Sequence, residues 1–217
     1  MLKKLLAFIR SLWFCIKMFG IKEGIRIPVL ISPHTKVSAK KGSIIIPNDA
    51  KYKHIMLGFG GSKGVESNKK NSLILSDKTK LIFLGQSYIS SGFSIRLDNS
   101  AEVVVGKNFN SNKNLFLSSS NKIEIGNNVL LGWNVEIRDS DGHTIIYNND
   151  ITDTSNKQVF IGDDVWIASQ VLILGKSYIS ENSVVGIRSM TNKKFESHSL
   201  IAGSPARKIK TIQGWNR

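Results

Sequence analysis

Residues 125–142 divide into sixes as IGNNVL, LGWNVE and IRDSDG, and residues 161–190 as IGDDVW, IASQVL, ILGKSY, ISENSV and VGIRSM. An aliphatic residue opens every six: Ile125, Leu131, Ile137, Ile161, Ile167, Ile173, Ile179 and Val185. The second position is mostly glycine or small, as at Gly126, Gly132, Gly162, Ala168, Ser180 and Gly186. The fifth is Val129, Val135, Val165 and Val171, then Ser177, Ser183 and Ser189. A period of six is neither the 3.6 of a helix nor the 2 of a simple strand. It fits a short strand and a tight corner, repeated, with the opening aliphatic residue pointing inward. No single coil of this kind can bury its own face, so coils must stack and share one aliphatic column.

Upstream the pattern loosens. LGQSYI (84–89) and VGKNFN (105–110) keep it, and SLILS (72–76) and KLIFLG (80–85) alternate as strands do. The coil is therefore expected over 72–191, within a domain at 72–217 that ends in a short capping segment. Residues 21–71 are expected to form irregular strands, among them IRIPVLI (25–31) and GSIIIP (42–47). GFGGSKG (58–64) reads as a flexible turn; it lacks the GK[ST] ending of a phosphate-binding loop. The phase breaks after Gly142 and returns at Ile161. The polar stretch between predicts an extruded loop over 143–158, and long loops inside compact repeats carry function more often than not.

The N-terminal segment, 1–20, predicts an amphipathic helix. Leu2, Leu5, Leu6, Ile9, Leu12, Trp13 and Ile16 share one face, with Gly20 as a stop. Arg10 and Lys17 interrupt the apolar run, which argues against a span, and nothing resembles a signal-peptide cleavage site. Two uses remain: a helix lying in the membrane interface with its cations toward anionic lipid, or a helix packed on its own protein or at a subunit contact.

Thirty basic against sixteen acidic residues give a formal net charge of +14, so the partners to expect are anions. No zinc-finger spacing and no ribonucleoprotein signature accompanies the charge, so nucleic acid is not expected. The single cysteine, Cys15, excludes an internal disulfide and reads as a small apolar residue of the helix. A reducing compartment follows, hence a cytoplasmic protein, with peripheral contact at the inner face of the membrane if the helix lies there.

The stretches KIEIGNNVLLGWNVEIRDSDGH, VFIGDDVWIASQVLILG, VVG and IAGSPARKIK, within 123–210, resemble the hexapeptide-repeat acyltransferases. The likeness is greatest to maltose and galactoside O-acetyltransferases and to O-acetyltransferases of polysaccharide pathways. It is weaker over 21–122 and absent over 1–20. The resemblance implies an all-β fold, a left-handed parallel β-helix, assembled as a homotrimer with active sites between subunits. It implies acetyl-CoA as co-substrate and no metal. His143, at the loop root, matches the family's base. Ser169 matches a serine beside the thioester arm, and Asn114 an asparagine that binds the acceptor sugar. Gly186 and Ile187 fall at the small-residue step of the coenzyme groove, Lys193 and Lys194 at a phosphate contact, and Arg207 and Lys210 after the AG-P turn. Two departures stand out: Ile187-Arg188 replaces the usual AG, and Asn192 replaces a threonine.

The chemistry fits these residues. A sugar hydroxyl is a poor nucleophile at neutral pH; a histidine can take its proton and return it to the leaving thiolate. The other ring nitrogen needs an acceptor, for which Asp141, Asp139 or a loop carbonyl are candidates, Asp141 favoured; Asp139 is also a candidate acceptor-sugar contact. Both aspartates can instead be turn residues. Trp166 lies along the coenzyme groove or in packing. His34, His54 and His198 read as ordinary histidines. A zinc hydratase on the same fold would need three converging histidines, and one lies in the regular repeat. Two alternatives stay open beside O-acetylation of an envelope glycan or lipid-linked saccharide: N-acetylation of an amino-sugar nucleotide, and a trimeric scaffold without chemistry.

Overall fold

The computed structural model describes every residue except 1, 64–69, 141, 144–145, 148–149, 152–156 and 217. Three sheets, parallel but for the last strand of the first, form the faces of a left-handed parallel β-helix, nine, seven and seven strands deep. The chain visits the first, second and third face in turn and then starts the next coil. One full turn in the regular region runs Trp166–Ile167, Leu172–Ile173, Tyr178–Ile179 and then Val184–Val185, which lies beside Trp166–Ile167. The aliphatic residue that opens each six points inward: Ile125, Leu131, Ile137, Ile161, Ile167, Ile173, Ile179 and Val185 are all buried. The valines at the fifth position are buried as well. Toward the C-terminus serines replace them, and their hydroxyls pair inside: Ser177 Oγ lies 2.9 Å from Thr191 Oγ1, and Ser183 Oγ accepts from the Ser199 amide at 3.1 Å.

Corner geometry explains the rest of the repeat. The fourth residue of every six but IRDSDG is left-handed: Asn128, Asn134, Asp164, Gln170, Lys176, Asn182 and Arg188 have φ between 54° and 73°. Asn and Asp tolerate that region better than most residues, which accounts for their frequency there. The small second position is steric. A Cβ on Gly126 would sit 2.6 Å from the Gly162 carbonyl carbon, so coils at this corner stack backbone on backbone.

The coil starts well before residue 72. Val29–Ile31, Lys36–Ser38 and Ile44–Ile45 already form its first turn, and Val29–Ile31 pairs in parallel with Ile55–Leu57. The extruded segment also differs from a structureless loop: Ile146–Tyr147 and Asp150–Ile151 pair antiparallel. After Ser199–Gly203 the chain reverses, and Ala206–Thr211 runs back antiparallel beside it as the C-terminal cap.

The N-terminal helix, Leu2–Phe19, packs with a face other than the apolar stripe read from the sequence. Ala7, Ser11, Phe14, Cys15 and Met18 are buried against the first coil. Leu5, Leu6, Ile9 and Trp13 are exposed. Hydrogen bonding selects the buried face. Val29–Ile31 is the outermost strand of its sheet, and its free edge needs partners. Ser11 Oγ accepts from the Ile31 amide at 2.9 Å, and the Cys15 thiol donates to the Val29 carbonyl at 3.2 Å. Cys15 is thus an edge cap as well as a small core residue, and burial pushes its thiol up to about 11. Among the described residues no helix is long and apolar enough to cross a membrane.

Candidate active site

The corner between the first and second faces stacks Asn112–Asn114, Gly132–Asn134, Ala168–Gln170 and Gly186–Arg188. Three amide-to-carbonyl bonds hold the column: Asn134 to Lys113 at 2.9 Å, Gln170 to Trp133 at 2.8 Å and Arg188 to Ser169 at 3.1 Å. It therefore brings Asn114, Ser169, Gly186 and Ile187 into one line parallel to the coil axis. Ser169 is buried, and its hydroxyl accepts from the Trp133 amide at 3.2 Å. Gly132 makes this approach possible, since a Cβ there would meet Ser169 Oγ at 2.6 Å. Asn114 is left-handed at φ 65°, and its amide donates to Asn134 Oδ1 at 3.0 Å. Ile187 projects from the corner, 59% exposed.

Arg207 pairs across the terminal hairpin with Ala202, whose Cβ would lie 3.3 Å from one added to Gly186. Arg207 is thereby placed beside the C-terminal end of the column. Arg188 joins it there, holding Gln170 Oε1 through Nε at 2.7 Å. Arg188 was visible in the sequence as an oddity at the VVG step. Its value as a cation emerges only when Asn114, Asn134, Gln170 and Arg188 are seen to stack at one corner.

The loop root belongs to the next corner, between the second and third faces. His143 is exposed there, and Asp141 lies outside the described residues. Asp139, the candidate acceptor contact at this root, is turned inward. Asp139 is 1% exposed, and its carboxylate accepts from the Ser119 hydroxyl, the Ser120 amide at 2.7 Å and the Asn121 amide at 3.0 Å. Its oxygens stitch the coil below to the root of the loop and face no solvent. Lys193 follows at the same corner two coils further on, its ammonium 5.6 Å from the Phe195 ring centroid.

The remaining candidates sit on open faces. Lys194 stands on the third face with its ammonium 5.1 Å from the Tyr178 ring centroid. Trp166 and Lys210 stand on the first face, where Trp166 pairs with Val184, Val184 with Leu200, and Leu200 with Lys210. Trp215, not anticipated, lies 6.0 Å from Trp166 and donates its ring N–H to the Asp164 carbonyl at 2.7 Å. A groove beside it, lined by His54, Tyr88, Asn110, Asn128 and Trp215, is polar, open and free of the candidate residues. Among the described residues no group of three or more His, Cys, Asp or Glu side chains converges as metal ligands would.

Within one chain the two corners lie a face apart. Six residues separate Trp133 from Asp139 and Ser169 from Gly175; at ~3.3 Å per extended residue this is roughly 15–20 Å. That exceeds hydrogen-bond reach several-fold.

No protein-family profile matches the chain. Solved structures of similar fold include the polySia-specific acetyltransferase NeuO, with TM-score 0.55 and 17% identity over 88% of this chain and 79% of that one. The polysialic acid O-acetyltransferase OatWY has TM-score 0.50 and 20% identity over 87% and 90%. At those identities the likeness is one of fold. A sequence relative goes further: the galactoside O-acetyltransferase of Escherichia coli (strain K12) is 31% identical over 170 residues, 74% of this chain and 77% of its own length. On that identity and span, with the coil and its corners as described, the chain is an acetyltransferase and belongs to the hexapeptide-repeat acyltransferase family.

Proposed function

We propose that the protein transfers an acetyl group from acetyl-CoA to a sugar hydroxyl, with His143 as general base, and that the acceptor is a glycan or lipid-linked saccharide of the bacterial envelope. The observation that carries this reading is the line at the first corner: Asn114, Ser169, Gly186 and Ile187 in order along the axis, with Arg188 and Arg207 at its C-terminal end. Such a line suits an extended thioester arm that ends in phosphates. Guanidinium groups are matched to phosphate oxygens, and Lys210 adds charge on the adjoining first face. The sugar acceptor is supported by the galactoside O-acetyltransferase relative.

His143 takes the acceptor hydroxyl's proton as the oxygen attacks the thioester carbonyl. The tetrahedral intermediate collapses with expulsion of the CoA thiolate, and the imidazolium returns the proton to sulfur. Asp141 accepts from the other ring nitrogen and holds the tautomer. Ser169 Oγ already accepts from Trp133, so its own proton is available to donate. No covalent enzyme intermediate is needed.

Separation of the two corners favours a site completed by a second copy, with His143 of one subunit facing the Ser169 corner of its neighbour in a homotrimer. The test is thiol release from acetyl-CoA with a panel of free sugars, amino-sugar nucleotides and lipid-linked saccharides. Acceptor-dependent release that falls at least about a hundredfold in His143→Ala supports the reading. Equal release by both proteins, or none with any acceptor, overturns it. Release confined to amino-sugar nucleotides moves the activity to N-acetylation.

A further inference from the structure

The outer face of the N-terminal helix is the largest apolar feature that neither the fold nor the proposed chemistry uses. Leu5, Ile9 and Trp13 recur every fourth residue on the side opposite Ala7, Ser11 and Met18, and are 55%, 54% and 72% exposed. Leu6, 48% exposed, widens the stripe. Beyond the helix end, Ile21 and Ile25 are 73% and 61% exposed. A helix needs one apolar face to cap a coil; this one has two, and the buried one already does the capping. Clustered exposed side chains of this size mark a contact surface.

Charge narrows the choice of partner. Positions 1–48 hold nine basic residues and one acidic residue, Glu23, and so carry more than half of the net charge of +14. Arg10 and Lys17, seven residues apart on a helix of 3.6 residues per turn, lie along one border of the stripe. Arg10 is fixed there by donating to the Thr35 carbonyl. Lys4, Lys22, Lys36 and Lys41 are exposed on the same end of the molecule. A tryptophan and aliphatic residues bordered by cations, with scarcely any acidic side chain nearby, match the interface of an anionic bilayer: apolar below, phosphate at the rim. A second copy of the same face is disfavoured, since it would bring like charges together.

We infer that the outer face of this helix docks the protein on an anionic lipid surface, with Trp13, Ile9 and Leu5 in the acyl boundary and the flanking cations at the headgroups. This stands on the helix alone and holds whichever acceptor the enzyme uses. Docking would leave the coil, and the candidate corners along it, standing off the membrane.

The experiment is co-sedimentation of the full chain with vesicles of phosphatidylglycerol mixed with phosphatidylcholine, and with phosphatidylcholine alone. Wild type is compared with Ile9→Glu/Trp13→Glu, both exposed positions outside the catalytic and binding residues. Wild type should pellet with the anionic vesicles and not with the neutral ones, and added salt should release it. The double variant should partition about tenfold or more weakly while keeping its thermal unfolding midpoint. No pelleting of wild type with anionic vesicles, or equal pelleting of the variant, overturns the inference. So does self-association of wild type that the variant loses while neither binds vesicles, which would make a second copy the occupant.

Discussion

The coils before and after residue 125 are built to one plan at two widths. In the later region Trp166 pairs with Val184, eighteen residues on. Earlier, Phe116 pairs with Glu136, twenty on, and Ser87 with Phe109, twenty-two on. The extra residues come in twos and lengthen faces. Phe93, Ile95 and Leu97 all point inward on one early face, where Val171 and Ile173 alone do so on a late one. Ala101, Val103 and Val105 repeat the pattern on the next early face. The early coils are therefore wider, and the largest buried side chains fill them: Phe83, Phe93 and Phe109. Adding two residues preserves the in–out alternation of a strand and destroys a period of six. The hexad coil is thus narrower than the early coils, and the last turn is shorter still, with Val184 pairing sixteen residues on with Leu200.

This difference explains what was legible in the sequence. From 125 onward the corners are tight apart from the one that extrudes the loop, so Gly126, Asn128 and Val129 recur in phase and mark the coil. Before 125 alternation survived in SLILS and KLIFLG, but the start at Val29 was hidden, because the first coils are also separated by long corners. Val29 pairs with Ile55 and Ile55 with Ser87, twenty-six and thirty-two residues apart. The helix misled for a different reason. Its apolar stripe left membrane contact and packing both open, while packing was decided by Ser11 and Cys15, which satisfy a sheet edge. Asp139 was read by its nearness to His143, whereas its role is set by the amides of a coil twenty residues earlier, which no local pattern reports. The first corner was legible in part. Ser169 and Ile187 were found by likeness, but their alignment with Asn114 and Arg207 is a matter of stacking.

The two regions should respond differently to substitution. The largest effect belongs to His143→Ala, expected to lower acetyl transfer by at least about a hundredfold with the unfolding midpoint unchanged, because the side chain is exposed and outside the coil. Circular dichroism melts beside the assay check both halves. Ile167→Ala, in a narrow coil, should cost about 2–5 kcal/mol in denaturant titrations, since a fully buried side chain leaves a cavity between backbones that cannot close. If Phe93→Ala in a wide coil proves no costlier, the wide coils relax and the comparison weakens.

Asp139→Ala should cost about 1–3 kcal/mol by leaving the Ser120 and Asn121 amides without their acceptor. A variant that loses activity at full stability would instead restore Asp139 to the site. Asn128→Ala should cost about 1 kcal/mol, through a left-handed corner and a ladder in which Asn128 accepts from Asn108 and donates to Asp164, each at 3.0 Å. A last prediction concerns the helix cap. With the Cys15 thiol raised from 9.0 to about 11 in the fold, the unfolded chain ionises first. Docking should be fully stable below pH 9 and weaken progressively as the pH rises toward 11. Cys15→Ser should abolish that slope in hydrogen-exchange measurements on residues 29–31.

The central claim is that His143 and the Ser169 corner form one site across two copies of the chain. It is tested most directly by co-expressing His143→Ala with Ile187→Trp, which keeps the base and blocks the corner. Each variant alone should be inactive in acceptor-dependent thiol release. Mixed assemblies should recover about a quarter of wild-type activity, the share of interfaces that random assortment gives an intact histidine and an intact corner. A mixture as inactive as its parents, although the two chains are shown to co-assemble, would contradict the claim and place both halves of the site within one chain.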